Sequence, residues 1–364
     1  MEILNVIWAY VIPFLVVLTI LVFVHELGHY LIARRCGVRV EVFSIGFGPE
    51  IFGRTDKAGT RWKFSAIPLG GYVKMFGDAD ATSMPSAELA AMSPEEQSEA
   101  FHRKTLGQRS WIVAGGPLAN FIFAFFALAV LYGFYGERVP VVGEPTEVVW
   151  IEPDSPAEAA GLQVGDRIVQ IGENPISGFE DIIAVVQGAV DQPLDFLIER
   201  EGAQLGLVVT PELDTQRDIG RIGIGNARVE YEAVGLFDAI WMAGAETVRV
   251  TGFIFVTLGE FISGERDSDE LAGPLGIAQM SGQVAKLGMA QVIFWTALLS
   301  INLGLLNLFP IPMLDGGHLL FYAIEAVRGR PLGQRAQEYG FRIGLALVLA
   351  LMLFATWNDI LRLT

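Results

Sequence analysis

Ile3-Leu-Asn-Val-Ile-Trp-Ala-Tyr-Val-Ile-Pro-Phe-Leu-Val-Val-Leu-Thr-Ile-Leu-Val-Phe-Val24, followed at once by His25-Glu-Leu-Gly-His29, is the stretch on which the reading of this chain turns. The 22 uncharged residues between Glu2 and His25 are enough to cross the ~30 Å hydrocarbon layer at about 1.5 Å per helical residue. A cleaved signal peptide would begin with basic residues and end at a small-residue cleavage site. This run begins with Glu2 and continues into two histidines and a glutamate, so it reads as a retained span over about residues 3–30. Further uncharged runs at 110–136 and 287–314 give the second and third spans. A 16-residue run at 343–358 gives a fourth, at about 341–361, provided that Arg342, Asp359 and Arg362 snorkel to the interface.

The composition of the 364-residue chain agrees: 52% of the residues are apolar, 18% are charged, and mean hydropathy is +0.45. A net charge of −16 argues against nucleic-acid binding, which needs a basic face. The single cysteine, Cys36, excludes an intramolecular disulfide and a cysteine-built zinc cluster. Residues 31–109 carry eleven lysines and arginines, and Arg328, Arg330, Arg335 and Arg342 follow the third span, so both segments belong on the cytoplasmic side. Residues 137–232, with 19 acids against 6 bases, belong on the other side. Residues 233–270 are apolar but interrupted by Asp238, Glu246, Arg249 and Glu260, which reads as an amphipathic helix at the outer interface.

Within 137–232, a core at about 147–213 has α+β patterning. Residues 148–151 and 167–171 read as strands, while Phe179, Ile182, Ile183 and Val186 share a helix face. Leu194, Phe196 and Ile198 alternate, Glu201-Gly202 turns, and Leu205, Leu207 and Val209 alternate back as a hairpin. The run Ser155-Pro-Ala-Glu-Ala-Ala-Gly-Leu-Gln-Val-Gly-Asp-Arg-Ile-Val-Gln-Ile171 resembles the PDZ family. That resemblance implies a groove that takes peptide ends by adding a strand to a sheet edge. Residues 213–235 are too few for a second copy.

His25 and His29, four apart on a helix, project from one face and can share a Zn²⁺, with Glu26 one step round to act on its water. Two histidines and a glutamate at the end of a span cost several kcal/mol unless they serve an interior site. A catalytic zinc takes a third protein ligand. His102 and His318 are the remaining histidines, and Asp315 is the better candidate. It closes Asn307-Leu-Phe-Pro-Ile-Pro-Met-Leu-Asp-Gly-Gly317, where Pro310 and Pro312 break the helix. The charge distribution puts the ends of spans one and three at the same cytoplasmic face, so the three side chains can converge.

These motifs, His25-Glu-Leu-Gly-His29, Asn307-x-x-Pro-x-x-x-Leu-Asp315-Gly and an intervening PDZ-like module, resemble the site-2 protease family of intramembrane zinc metalloproteases over nearly the whole chain. The best-known bacterial members carry tandem PDZ modules, and this chain has one. The resemblance implies zinc on His25, His29 and Asp315, with Glu26 as catalytic base. It implies cleavage of single-span membrane proteins, anti-sigma-factor-like regulators or remnant signal peptides, in the lipid of a bacterial inner membrane, with the active site near the cytoplasmic face and the PDZ module periplasmic. The expected fold is a polytopic α-helical membrane protein with about four transmembrane helices, a membrane-associated β-hairpin and an inserted α+β PDZ domain.

A helical substrate must be unwound before attack. In residues 61–76, Trp62, Phe64 and Ala66 alternate, Pro68-Leu-Gly-Gly71 turns, and Tyr72, Val73 and Met75 return, which reads as a hairpin. Its free edge, with Ile67, Leu69, Gly70, Gly71 and Tyr72, would pair with substrate; a plain cytoplasmic surface hairpin is the other reading. Asn302 and Asn307 either bond a neighbouring helix or hold substrate backbone beside the zinc. The runs Gly46-Phe-Gly-Pro49 and Gly115-Gly-Pro-Leu-Ala-Asn120 read as close backbone packing. Two other functions fit less well: a membrane zinc protease of soluble tails, and a PDZ-bearing adaptor whose zinc is structural.

Overall fold

The computed structural model describes residues 7–78, 93–214, 219–266 and 272–363. They form two compact units, one of residues 1–134 with 235–364, the other of 135–234.

In the first unit, α1 (Ile12–Arg35) follows a π-helical turn, and α2 (Leu106–Tyr135) follows a single 3-10 turn at Phe101–Arg103. Among the described residues five helical segments are long and apolar enough to cross a membrane: Trp8–Arg35, Leu106–Tyr135, Leu236–Phe261, Met289–Leu308 and Arg335–Arg362. α1 and α2 cross where Gly28 meets Gly115, and a methyl group on Gly28 would fall on the Gly115 carbonyl oxygen. This contact explains the glycine between the two histidines: nothing larger lets α2 approach the metal-type motif.

Two long strands, β1 (Val40–Thr55) and β2 (Arg61–Met75), lie beside α1. They are joined by a turn in which Asp56 Oδ1 accepts the Ala58 and Thr60 N–H groups, while its Oδ2 accepts the Trp62 indole N–H at 2.9 Å. Residues 61–76 do not form the expected hairpin. The chain does reverse at 67–71, but its two arms do not pair with each other, because residues 42–45 of β1 lie between them. Ile45 faces both Phe64 and Gly71, and Phe43 faces both Trp62 and Val73. Gly46 and Gly48, at φ +88° and +85°, bend β1 there, and a side chain on Gly46 would strike the Ile67 carbonyl. The Gly-Phe-Gly-Pro run thus shapes a strand. Phe43, stacked on Trp62 at 4.2 Å, fixes the sheet to a core that includes Ile112, Phe101 and Tyr322.

The third uncharged run also folds more tightly than expected. The helix ends at Leu308, and the residues to 314 form a turn through Pro310, Pro312 and Met313, whose φ is +93°.

The second unit is α+β. Strand β3 (Arg167–Ile171), helix α3 (Phe179–Gln187) and the hairpin β4 (Leu194–Arg200)–β5 (Ala203–Val209) stand where expected, with Glu201 and Gly202 both at positive φ in the turn. Ile168, Ile171, Ile182, Val186, Phe196, Ile198 and Val209 form its core. Ile183, expected on the packed helix face, is exposed. Asp166 of the Gly-Asp pair is 1% exposed and receives Arg200 through two 2.7 Å bonds. The stretch too short for a second module returns as a strand, Ala227–Glu232, that pairs with Glu137–Val142 at the start of the unit.

Helix α4 (Leu236–Ser263) is continuous, and its Arg249 donates to Glu246 at 2.7 Å. Length and composition alone allow it to cross a membrane. Then follow α5 (Pro274–Lys286), α6 (Met289–Leu308), α7 (Asp315–Arg328) and α8 (Gln334–Leu363). Asp359 on α8, expected to snorkel, is 2% exposed. Its carboxylate accepts the Gly273 and Gly276 N–H groups at 2.9 Å each, capping α5.

Candidate active site

The helical i,i+4 spacing on α1 brings His25 and His29 together, with their Nε2 atoms 3.2 Å apart. Asp315, at the start of α7, reaches them because Gly316 and Gly317 pack against the carbonyls of Leu308 and Ile311, folding α7 back on the end of α6. Its Oδ2 lies 3.1 Å from His25 Nε2 and 3.5 Å from His29 Nε2. That oxygen is buried without a directed hydrogen bond. One donor atom from each residue falls within 4.8 Å of the others, and this is the one such His/Cys/Asp/Glu group among the described residues. Two imidazole nitrogens and a carboxylate oxygen aimed at one point repel unless a proton or cation sits among them. The donor set and spacing fit zinc with a fourth position open.

Each histidine is also held from behind by α2. His29 Nδ1 donates to the Ile112 carbonyl at 2.9 Å, and the amide of Asn120 lies 3.1 Å from His25 Nδ1. Gly116 lies against the His29 ring, where a Cβ would overlap Nε2. The packing role expected of Gly115-Gly116 is therefore seen, but Asn120 does more than pack. No local pattern singles it out, since its partner is 95 residues away.

The cluster opens into a cavity of about 600 Å³ that also takes in Glu26, Tyr72, Asn307 and His318. The Val73 backbone hydrogen-bonds the Glu26 carboxylate. Of the residues expected at the substrate edge, Gly71 and Tyr72 line the cavity, whereas Ile67, Leu69 and Gly70 do not; of the two asparagines, Asn307 does and Asn302 does not. His318, an alternative third ligand by sequence, stays outside the cluster, and burial keeps its imidazole below the usual histidine range. His102, the other alternative, pairs with Asp78 at 3.0 Å. Arg109 bonds Glu325 at 2.6 and 3.3 Å, and its guanidinium lies 4.9 Å from the ring centre of Tyr322, which lines the cavity.

A helical membrane bundle carrying such a cluster at the end of its first long helix is built as a membrane metalloprotease. The chain belongs to Peptidase family M50, whose pattern matches residues 13–351, and it is a zinc metalloprotease. A Rhizobium meliloti relative, whose name places it among zinc metalloproteases, is 47% identical over 96% of both chains. Metalloprotease MmpA of Caulobacter vibrioides is 40% identical, over 96% of this chain and 94% of its own length. Regulator of sigma-E protease RseP of Escherichia coli is 35% identical, over 96% of this chain and 98% of its own. Among solved structures, the PDZ domain of an SdrC-like protein from Listeria monocytogenes aligns with 24% of this chain and 90% of its own at 21% identity, TM-score 0.21.

Proposed function

We propose that the chain is an intramembrane endopeptidase of a bacterial inner membrane, with zinc on His25, His29 and Asp315. Its substrates are the membrane segments of single-span proteins such as anti-sigma-like regulators or remnant signal peptides. The observation that carries this reading is the convergence of Asp315 Oδ2 on both histidine Nε2 atoms. Zinc bound there supplies Lewis-acid activation of water and of the scissile carbonyl. Glu26, in the same cavity, accepts the water proton; the resulting hydroxyl adds to the carbonyl carbon, the C–N bond breaks, and Glu26 returns the proton to the leaving amine.

The strand at 71–75 supplies the means of holding an unwound substrate. Val73 turns its backbone toward Glu26 while Phe76 N–H bonds the Arg39 carbonyl on the sheet side, so Gly71 and Val73 present the outward edge, which ends at Met75, whose carbonyl accepts the Asp78 N–H. An extended peptide added to that edge lies beside Glu26. Phe47, Ile51, Phe52, Ile67 and Leu69 leave the sheet exposed and apolar, as suits a sheet dipping into lipid. The second unit we read as a PDZ module on the periplasmic side, taking peptide ends, and the basic segments around the site as cytoplasmic.

The test is cleavage of a co-expressed single-span reporter by wild type and Glu26→Gln, with zinc quantified in both. The expected result is about one zinc in each and a ~10²–10⁴-fold loss of cleavage in the variant. Equal processing by both would make the zinc structural and the chain an adaptor.

A further inference from the structure

We propose that Asn120 is a positioning residue for the metal centre: its side-chain oxygen accepts the Nδ1–H of His25, fixing the tautomer and ring plane in which Nε2 binds zinc. This rests on the zinc reading of His25, His29 and Asp315.

Asn120 is 0% exposed and sits on α2 within the bundle. Its backbone carbonyl accepts the Ser300 hydroxyl at 2.9 Å, and a methyl on Gly304 would lie 3.2 Å from its Cβ. The backbone of this residue is thus pinned between α1 and α6. Its amide has one close polar neighbour, His25 Nδ1 at 3.1 Å, and its Oδ1 is buried without a hydrogen-bond partner among the described residues. As placed, Nδ2 faces the ring. Nitrogen and oxygen of an amide differ only by a half-turn about its last torsion, and chemistry must choose between them.

The metal-binding direction makes the choice. His25 Nε2 is the atom aimed at Asp315 and His29. A neutral imidazole that binds through Nε2 carries its proton on Nδ1, so the group facing Nδ1 must accept. The half-turn brings Oδ1 to that position.

His29 shows the same construction completed, its Nδ1 bonded to the Ile112 carbonyl at 2.9 Å. Ile112 and Asn120 are eight residues apart on α2, two turns, and they face histidines four apart on the antiparallel α1. One helix thus orients both rings, with Gly115 and Gly116 giving the clearance between. An amide suits the His25 position because it accepts the bond without adding a further charge to the membrane interior.

Acceptors behind metal-bound imidazoles typically contribute 10–100-fold to metal affinity. The experiment measures the zinc dissociation constant of the full-length protein in detergent, by competition with a chromophoric chelator, for wild type, Asn120→Ala and Asn120→Asp, with helicity checked by circular dichroism. We expect Asn120→Ala to weaken zinc about 10–100-fold. Asn120→Asp, which keeps an oxygen acceptor and as a carboxylate cannot donate, should restore an affinity close to wild type. Wild-type affinity in Asn120→Ala overturns the proposal. Equal losses in the Ala and Asp variants overturn it too, because the acceptor would then not be what matters. A wild type that binds no zinc would instead bring down the metalloprotease reading of the site, and this inference with it.

Discussion

Gly28 and Gly115 meet at the crossing of the first two long helices with no room for a methyl group on either: a Cβ on Gly28 falls on the Gly115 carbonyl, and one on Gly115 lies 2.8 Å from the Gly28 carbonyl oxygen. Because Ile112 and Asn120 reach the histidines only at this spacing, the contact sets the metal geometry. Gly115→Ala should therefore cost about 1–3 kcal/mol of overpacking and lower zinc occupancy in a protein that still inserts. Zinc analysis of purified, membrane-extracted protein reads this; full occupancy would show that the crossing can open without moving the ligands.

The outward groups of the strand at 71–75 are expected to hold substrate. Val73→Pro removes the N–H that bonds the Glu26 carboxylate, and so unseats the base together with the outward edge, while the inward bond from Phe76 N–H to the Arg39 carbonyl remains. Reporter cleavage should fall at least tenfold with zinc content unchanged, whereas zinc loss in step with activity would assign the strand a purely structural task.

Arg109 and Glu325 join the start of α2 to α7 with both side chains largely buried. Arg109 also lies 4.9 Å from the Tyr322 ring centre. Arg109→Ala leaves Glu325 uncompensated and should destabilise the protein by about 3–5 kcal/mol, read as a lower thermal midpoint in detergent. Arg109→Lys should recover little of this, since an ammonium cannot reproduce the paired bonds.

In the second unit, Asp166→Ala removes an acceptor of Arg200 and of the Gln163 N–H and should lower the stability of that unit. Hydrogen exchange on the full chain should quicken across β3 and β4 and leave the α1 and α2 amides unchanged. Exchange that quickens everywhere would mean that the two units unfold together.

Much of this architecture was legible from residue order, because it depends on short-range pattern. Uncharged runs marked the long helices, the His25/His29 interval put two ligands on one helix face, and Pro310 with Pro312 stopped a helix just ahead of Asp315. Alternation and the Glu201-Gly202 turn marked the β4–β5 hairpin. Other segments misled for identifiable reasons. Residues 61–76 alternate and turn like a hairpin, yet residues 42–45 lie between the two arms and pair with both, while the first arm also pairs with residues 50–55, and alternation does not name a strand's partner. Asp359 looked like an interfacial charge because its partners are two backbone N–H groups 86 and 83 residues away.

Local chemistry therefore settled which groups are present and on which elements: His25, Glu26 and His29 on one helix, Asp315 after a broken one, an α+β insertion between. Periodicity and helix breaking act over a few residues and are written into the order of the chain. Tertiary packing alone decided which distant groups complete them: Ile112 behind His29, Asn120 beside His25, Val73 against Glu26, Asp359 over the end of α5. Such contacts depend on helix crossings and strand order set by burial of the whole chain, and no interval along the sequence encodes them.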